Sequence, residues 1–426
     1  MRFIVTTHMI IFYSIMCLVI LTILFMLFIK IKFPFWAAQP VFHVYNITYY
    51  LYPRGIIQEA LPEKTKYHDS SISVVKVNDD VLTTLSTDVT SFLQTHYLKT
   101  PEASFLPKKD NIVPYFIGHL SPCHLSTSIM SSPIINNNSG TVIIRDTLAG
   151  CMTTRPMYVE MFADNGSSIA PMFEINYVDH LCVNTDKRKQ GLAPKIIYTH
   201  NYVIQRANHR VPISLFKRED DITGIVPLCF YKTVCFDMSA WTTLPNLPAN
   251  MGTLVKCDAG KYYLVEEFIR DKKHLFNICI APSVGNIISL IETENIYVYM
   301  LVNVKQQIDA VYFFRNTCMR YENDESALCL IASIRGNTAV DLFTHTCKIA
   351  ITKIVAHTST STGTDKGTEN NKYNYRYFTV ENVSDNILIT DELQKKSTPV
   401  SSSPTAYFFY NFASHRVSEN KVFILN

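Results

Sequence analysis

Glycine is scarce in this chain of 426 residues, at 13 positions, or about three per cent where about seven is ordinary. Neither G-x-G-x-x-G nor G-x-x-x-x-G-K-[ST] occurs, so the glycine loops that bring backbone closest to nucleotide phosphates are missing. Charge is also low. Charged residues make up 18% of the chain and the formal net charge is +3, too little for the basic stripe of a nucleic-acid binder. Eleven cysteines are present, but C-x-x-C is absent, and the closest pair, Cys229 and Cys235, lies six apart. An odd number of scattered cysteines reads as reduced core thiols. His119, Cys123 and His124 could make half of a zinc site; no second half follows at metal spacing, and no metal is expected. An apolar share of 47% excludes a disordered chain, and the length admits two or three domains.

One long hydrophobic run is present. Residues 9–29, MIIFYSIMCLVILTILFMLFI, hold no charge and no proline over 21 positions. As a helix that is about 31 Å, the thickness of a bilayer core. The run ends Phe28-Ile29-Lys30 without a small-residue cleavage site, so a retained transmembrane signal anchor is expected, making a single-pass membrane protein. Arg2 on one side and Lys30 with Lys32 on the other leave the charge rule close to a tie. The N-x-[ST] sequons at Asn46, Asn137, Asn165 and Asn382 are no more than an Asn-, Ser- and Thr-rich composition supplies.

Beyond Lys32, short strand-like runs alternate with amphipathic segments, which predicts an α+β or α/β body. Strands are expected at 140–146, 168–178, 262–268, 296–302, 310–314 and 328–333, and helices at 80–98 and 192–207. Residues 131–140, 357–374 and 395–406 read as loops, and a domain boundary is expected near 240–255.

The richest segment is 173–197, FEINYVDHLCVNTDKRKQGLAPKII. A strand, a basic turn and then a helix form an anion-binding layout, because backbone N–H groups at the turn and helix N-terminus face one point. Lys187, Arg188 and Lys189 add positive charge, and Gly191 and Ala193 allow close approach. A merely solvated basic turn fits the same letters.

This segment resembles that of the glycylpeptide N-tetradecanoyltransferases, the N-myristoyltransferases, with their E-[IV]-N, F-L-C-V, basic octet and L/V-A-P. Here Glu174-Ile175-Asn176 is present, and eight residues separate Leu181-Cys182-Val183 from Leu192-Ala193-Pro194. Phe35-Trp36-Ala37-Ala38-Gln39-Pro40-Val41 resembles the family's F-W-x-x-Q-P-V. Tyr407-Phe408-Phe409-Tyr410-Asn411-Phe412 and the closing run to Asn426 resemble its C-terminal pattern, preceded by a weaker match from Phe378 to Asn386.

The resemblance implies two tandem acetyltransferase-like halves forming one mixed, saddle-shaped sheet: 33–245 binding acyl-CoA, and 250–426 carrying the acceptor groove and C-terminal carboxylate. It implies a long-chain acyl-CoA, myristoyl-CoA in the family, as co-substrate with no permanently bound cofactor. The acceptor would be the N-terminal glycine of a peptide or protein. By position, the backbone amides of His180 and Leu181 would form the oxyanion hole, and the carboxylate of Asn426 would be the base. Phe35, Trp36, Val183, Arg188, Lys189, Gln190, Gly191, Leu192 and Ala193 would hold the acyl-CoA, and Asn176, Tyr231 and Tyr410 the acceptor. Phe35 and Trp36 can equally be an interfacial aromatic anchor. A monomer with a cytosolic body is expected, since acyl-CoA must reach it.

Departures from the pattern cluster on the acceptor side. His180 stands where the family has Phe, Tyr177-Val178-Asp179 lengthens the approach, and residues 397–403 lack the acid and glycines of K-F-G-x-G-D-G. Of C-R-Y-W-H-R only Cys229 and Tyr231 remain. An acyl-CoA-binding membrane scaffold without catalysis, or a lumenal glycoprotein, are the other functions the sequence allows.

Overall fold

The computed structural model describes residues 2–135, 142–219, 224–241, 247–360 and 373–426. The first half runs α1 (Arg2–Lys32), α2 (Ile47–Leu51), β1 (Gly55–Ile56), β2 (Ser73–Lys76), α3 (Asp79–Thr84), α4 (Thr90–His96), β3 (Ala103–Phe105), α5 (Lys109–Ile112), β4 (His124–Ile135), β5 (Val142–Met161), β6 (Phe173–Val183), α6 (Leu192–Ala207), β7 (Ser214–Glu219) and β8 (Cys229–Asp237). The second runs β9 (Thr253–Cys257), α7 (Tyr262–Lys272), β10 (Ile278–Ala281), α8 (Val284–Glu292), β11 (Ile296–Val302), β12 (Ile308–Tyr321), β13 (Glu325–Arg335), α9 (Val340–Thr360), β14 (Asn374–Glu381), α10 (Asn386–Gln394), β15 (Ser401–Tyr410), β16 (Phe412–Ala413) and β17 (Val422–Ile424).

Fifteen strands join in one mixed sheet along the path β17-β10-β5-β6-β7-β15-β8-β14-β13-β12-β11-β9, with β4 and β2 added at β5 and β3 at β12. The halves are stitched through it. β10 and β17 of the second half pair beside β5, while β8 of the first lies between β15 and β14. Helices cover both faces, so central strands such as IYVYMLV of β11 are continuously apolar rather than alternating. One core forms under α9 and α10 and another under α7 and α8. Residues under α4 and α6 pack the first half.

Several elements differ from the sequence-based expectations. YYLVEEF at 262–268 is rich in strand formers but begins helix α7: Tyr262, Val265 and Phe268 are buried at helical spacing, and the Asp258 carboxylate accepts from the N–H of Lys261 at 3.0 Å just before it. Residues 401–406, expected as loop, open β15, because backbone pairing with β8 decides there over Ser and Pro content. The helix expected at 80–98 holds from Asp79 to His96 through a π turn at Leu85–Val89, where the Thr90 hydroxyl donates to Leu85 O at 2.7 Å. β4 continues to Ile135 and α9 to Thr360; positions 136–140 and 361–372 of the expected loops lie outside the described residues, as do 140–141 of the expected strand and 242–246 of the expected boundary.

α1 is the one helix among the described residues long and apolar enough to cross a membrane, with Met9–Lys32 at a mean hydropathy of 2.8. The eleven cysteines are free, and ten of them are buried.

Candidate functional site

β6 pairs along β5 until Thr153 faces Asp179 and Cys151 faces Cys182, so His180 and Leu181 together oppose one residue. This is a β-bulge, which takes backbone donors out of the ladder and re-aims them. His180 adopts φ +48°, a left-handed conformation uncommon for a residue with a side chain. Its ring takes a 3.1 Å hydrogen bond with the Thr153 hydroxyl and lies beside Tyr97 and Phe116. Burial lowers the His180 pKa; neighbouring Asp179 opposes this and Arg155 adds to it, leaving the ring neutral.

At the far end of β6 the chain turns through Asn184, whose side chain accepts from Asp186 N at 2.9 Å. Arg188 is committed to this turn: Nε donates to Val183 O at 3.2 Å and Nη2 to His96 O at the end of α4. Gln190 donates back to Asp186 O at 2.9 Å. Lys187 and Lys189 are exposed. Lys189 and Gly191 have φ of +61° and +80°, and among the described residues no side chain caps the 16-residue α6. A Cβ on Gly191 would meet nothing within 4 Å, so the helix N-terminus is open as well as uncapped. Leu181, Val183, Leu192 and Ala193 meet in one apolar cluster behind it.

The entry segment is latched to the body. Phe35 is buried edge-on against Tyr67, and Trp36 stacks on Phe216 of β7 at 5.3 Å. The Tyr410 hydroxyl donates to Gln39 Oε1 at 2.8 Å, and Asn201 of α6 reaches Tyr410 at 3.4 Å. Tyr410 thus stands with Phe35 and Trp36. Tyr231 stands on the other face of β15, stacked on Tyr407. Asn176 is spent on fold: its N–H and its amide donate to Ile213 O and Val211 O.

Asn426, buried after β17, donates from Nδ2 to the Tyr177 hydroxyl at 2.7 Å, three residues before the bulge. Arg315 of β12 donates to Asn426 O at 3.1 Å and to Glu381 Oε1 at 3.1 Å. Lys217 also pairs with Glu381 at 3.0 Å, and the Tyr231 and Tyr407 hydroxyls donate to its other oxygen at 2.8 and 3.2 Å. Burial pushes the Glu381 pKa up, but Lys217 and Arg315 outweigh it and hold the carboxyl below its ordinary value. Arg155, 1% exposed, pairs with Asp179 at 2.9 Å between the rings of Tyr115 and Tyr177. Arg155, Asp179, Lys217, Arg315, Glu381 and Tyr407 were not among the candidate residues read from the sequence. The available signal was charge inside strand-like apolar runs, which is seldom buried without a partner.

A bulged strand running into an open helix N-terminus, within one mixed sheet, defines an N-myristoyltransferase-like α+β fold. A structure of Saccharomyces cerevisiae N-myristoyltransferase with bound myristoyl-CoA aligns over 91% of this chain and 90% of its own, at TM-score 0.62 and 14% identity. A second aligns over 90% and 94% at 0.61 and 15%, and a third, with myristoyl-CoA and inhibitors, over 92% and 94% at 0.61 and 14%. No protein-family model and no curated protein matches the sequence.

Proposed function

We propose that the chain is a membrane-anchored acyltransferase that moves a long-chain acyl group from acyl-CoA to an amine, the N-terminal glycine of a protein being the family's acceptor. The observation that carries this reading is the β6 layout: the His180–Leu181 bulge at one point of the strand, the open α6 N-terminus beyond its end, and Asn426 bonded to Tyr177 on the same strand. The 33–245 half holds the acyl-CoA, with its phosphates at Lys187, Lys189, Gly191 and the α6 amides, and Arg188 tying the loop in place. The 250–426 half contributes most of the acceptor groove. Residues 9–29 span the bilayer and the body faces acyl-CoA in the cytosol.

In the reaction the amine nitrogen attacks the thioester carbonyl. The bulge amides hold the developing oxyanion, the C–S bond breaks as the C–N bond forms, and CoA leaves as its thiol. Beforehand the terminal carboxylate of Asn426 takes a proton from the ammonium, which frees the amine to attack, and the proton the nitrogen sheds as the amide forms goes to the departing thiolate. The charge balance at that carboxylate supports this. Lys217 and Arg315 bring two positive charges and Glu381 one negative, so the buried cluster is neutral when the terminal carboxylate is ionised.

Arg315 also supports a second reading, an acyl-CoA-binding protein without transfer, because a guanidinium on the carboxylate makes it a weaker base. Extending the chain by two glycines after Asn426 separates the two. Under the catalytic reading, transfer is lost and acyl-CoA affinity is kept; transfer by the extended protein at the native rate contradicts the assigned base.

A further inference from the structure

α1 does not end in a free linker. Past Lys32, the N–H of Phe33 donates to Ile29 O and that of Ala37 to Phe33 O, both at 2.9 Å. Ile29 is buried against Gly224, where a Cβ would stand 2.8 Å from the Ile29 side chain, so body backbone and helix meet in direct contact. The segment following the entry motif returns to the same place. Val44 N donates to Gly224 O at 3.1 Å, His43 bridges to Ile225, and Lys30 lies over the Tyr45 ring at 5.9 Å. Tyr50 is tied in by its hydroxyl to Val44 O and by its ring to Phe42 at 4.9 Å.

Held beside the last turn of α1 in this way, α2 and the residues after it show solvent an apolar face. Ile47 is 63% exposed, Leu51 70% and Tyr52 81%. From Phe33 to Pro53 the sequence contains no Asp, Glu, Lys or Arg, while Lys30 and Lys32 precede it and Arg54 follows. A cavity of about 250 Å³ behind Tyr50 has Phe42, Val44, Val226 and Pro227 as walls, with Arg416 and His415 beside them.

We propose that this face, built on residues 42–54, is a bilayer-contacting platform: Ile47, Tyr50, Leu51 and Tyr52 sit in the headgroup region next to the point where α1 leaves the hydrocarbon core. The inference rests on the reading of α1 as a membrane span. The occupant is a lipid surface because the patch is continuous with that span and rigidly joined to it. Tyrosine with its apolar body and polar tip suits the interface, and the flanking Lys and Arg suit anionic headgroups. Phe35 and Trp36, three and four residues past Lys32, are thereby held close to the membrane surface.

Cysteine labelling of the full chain in phosphatidylcholine–phosphatidylserine vesicles tests this, since Cys17 is exposed and the other ten cysteines are buried. An environment-sensitive fluorophore is placed on Cys17, on Leu51→Cys in a Cys17→Ser background, or on Leu120→Cys in that background as a solvent reference, Leu120 being 87% exposed. Iodide should quench the label at 51 at least about threefold less than that at 120, and lipid nitroxides near the headgroup should quench it more. Equal iodide quenching at 51 and 120 with Cys17 protected overturns the platform and leaves the span intact. A Cys17 label as open to iodide as that at 120 overturns the span, and the platform with it.

Discussion

Arg315 joins Glu381 on β14 to Asn426 O after β17, and its removal has a signed consequence. In Arg315→Gln the proposed terminal base loses its cation, which makes it easier to protonate. Because the base must be unprotonated to act, the acid limb of the pH profile of kcat/KM moves to higher pH; an unmoved limb contradicts the assignment. Glu381, left with Lys217 alone, makes the variant less stable by about 3 kcal/mol. A second residue-scale test concerns His200, held between the hydroxyls of Ser126 at 2.7 Å and Thr154 at 3.0 Å. Burial, then nearby His124, pushes it down to about 3. Below pH 6.5 the unfolded chain takes up a proton that the folded one refuses, so stability falls on acidification by up to about 1.4 kcal/mol per pH unit from this group. His200→Gln should flatten that slope in urea unfolding at pH 7 and pH 5, and an unchanged slope would remove His200 as its source. None of these partners was legible in the sequence. Arg155, Arg315 and Glu381 could be seen as charges in apolar runs, but their pairing is fixed by register across β5, β6, β12 and β14.

At the scale of elements, β6, its turn and α6 were largely legible. Branched and aromatic residues mark the strand, Gly191 fits the left-handed position it occupies, and 192–207 keeps helical period throughout. The bulge was not legible, because it arises from how β6 meets β5 and His180 is not a residue that advertises φ > 0. The roles within the turn also divide in a way spacing could not show. Lys189→Ala should lower myristoyl-CoA affinity in calorimetry several-fold and leave the melting temperature within about 2 °C, as its side chain is exposed. Arg188→Ala should lower both, since it cuts the turn from Val183 and from the end of α4. Equal thermal effects of the two substitutions would place the anchoring elsewhere.

Over the whole molecule, the order of short motifs from Phe35 to Asn426 was the legible part, and it agrees with the fold observed. The exchange of β8, β10 and β17 between the halves was hidden, because strand partners more than a hundred residues apart leave no local signal. The same exchange carries Asn426 to β6, where it bonds to Tyr177. The most direct measurement is a single turnover of the full chain, in vesicles, with labelled myristoyl-CoA and a panel of glycine-starting peptides. The account predicts an amide-linked acyl peptide, stable to hydroxylamine, formed by the native chain and not by the form extended past Asn426. Failure to bind myristoyl-CoA would contradict both readings, and binding without any transfer across the panel would contradict the catalytic one.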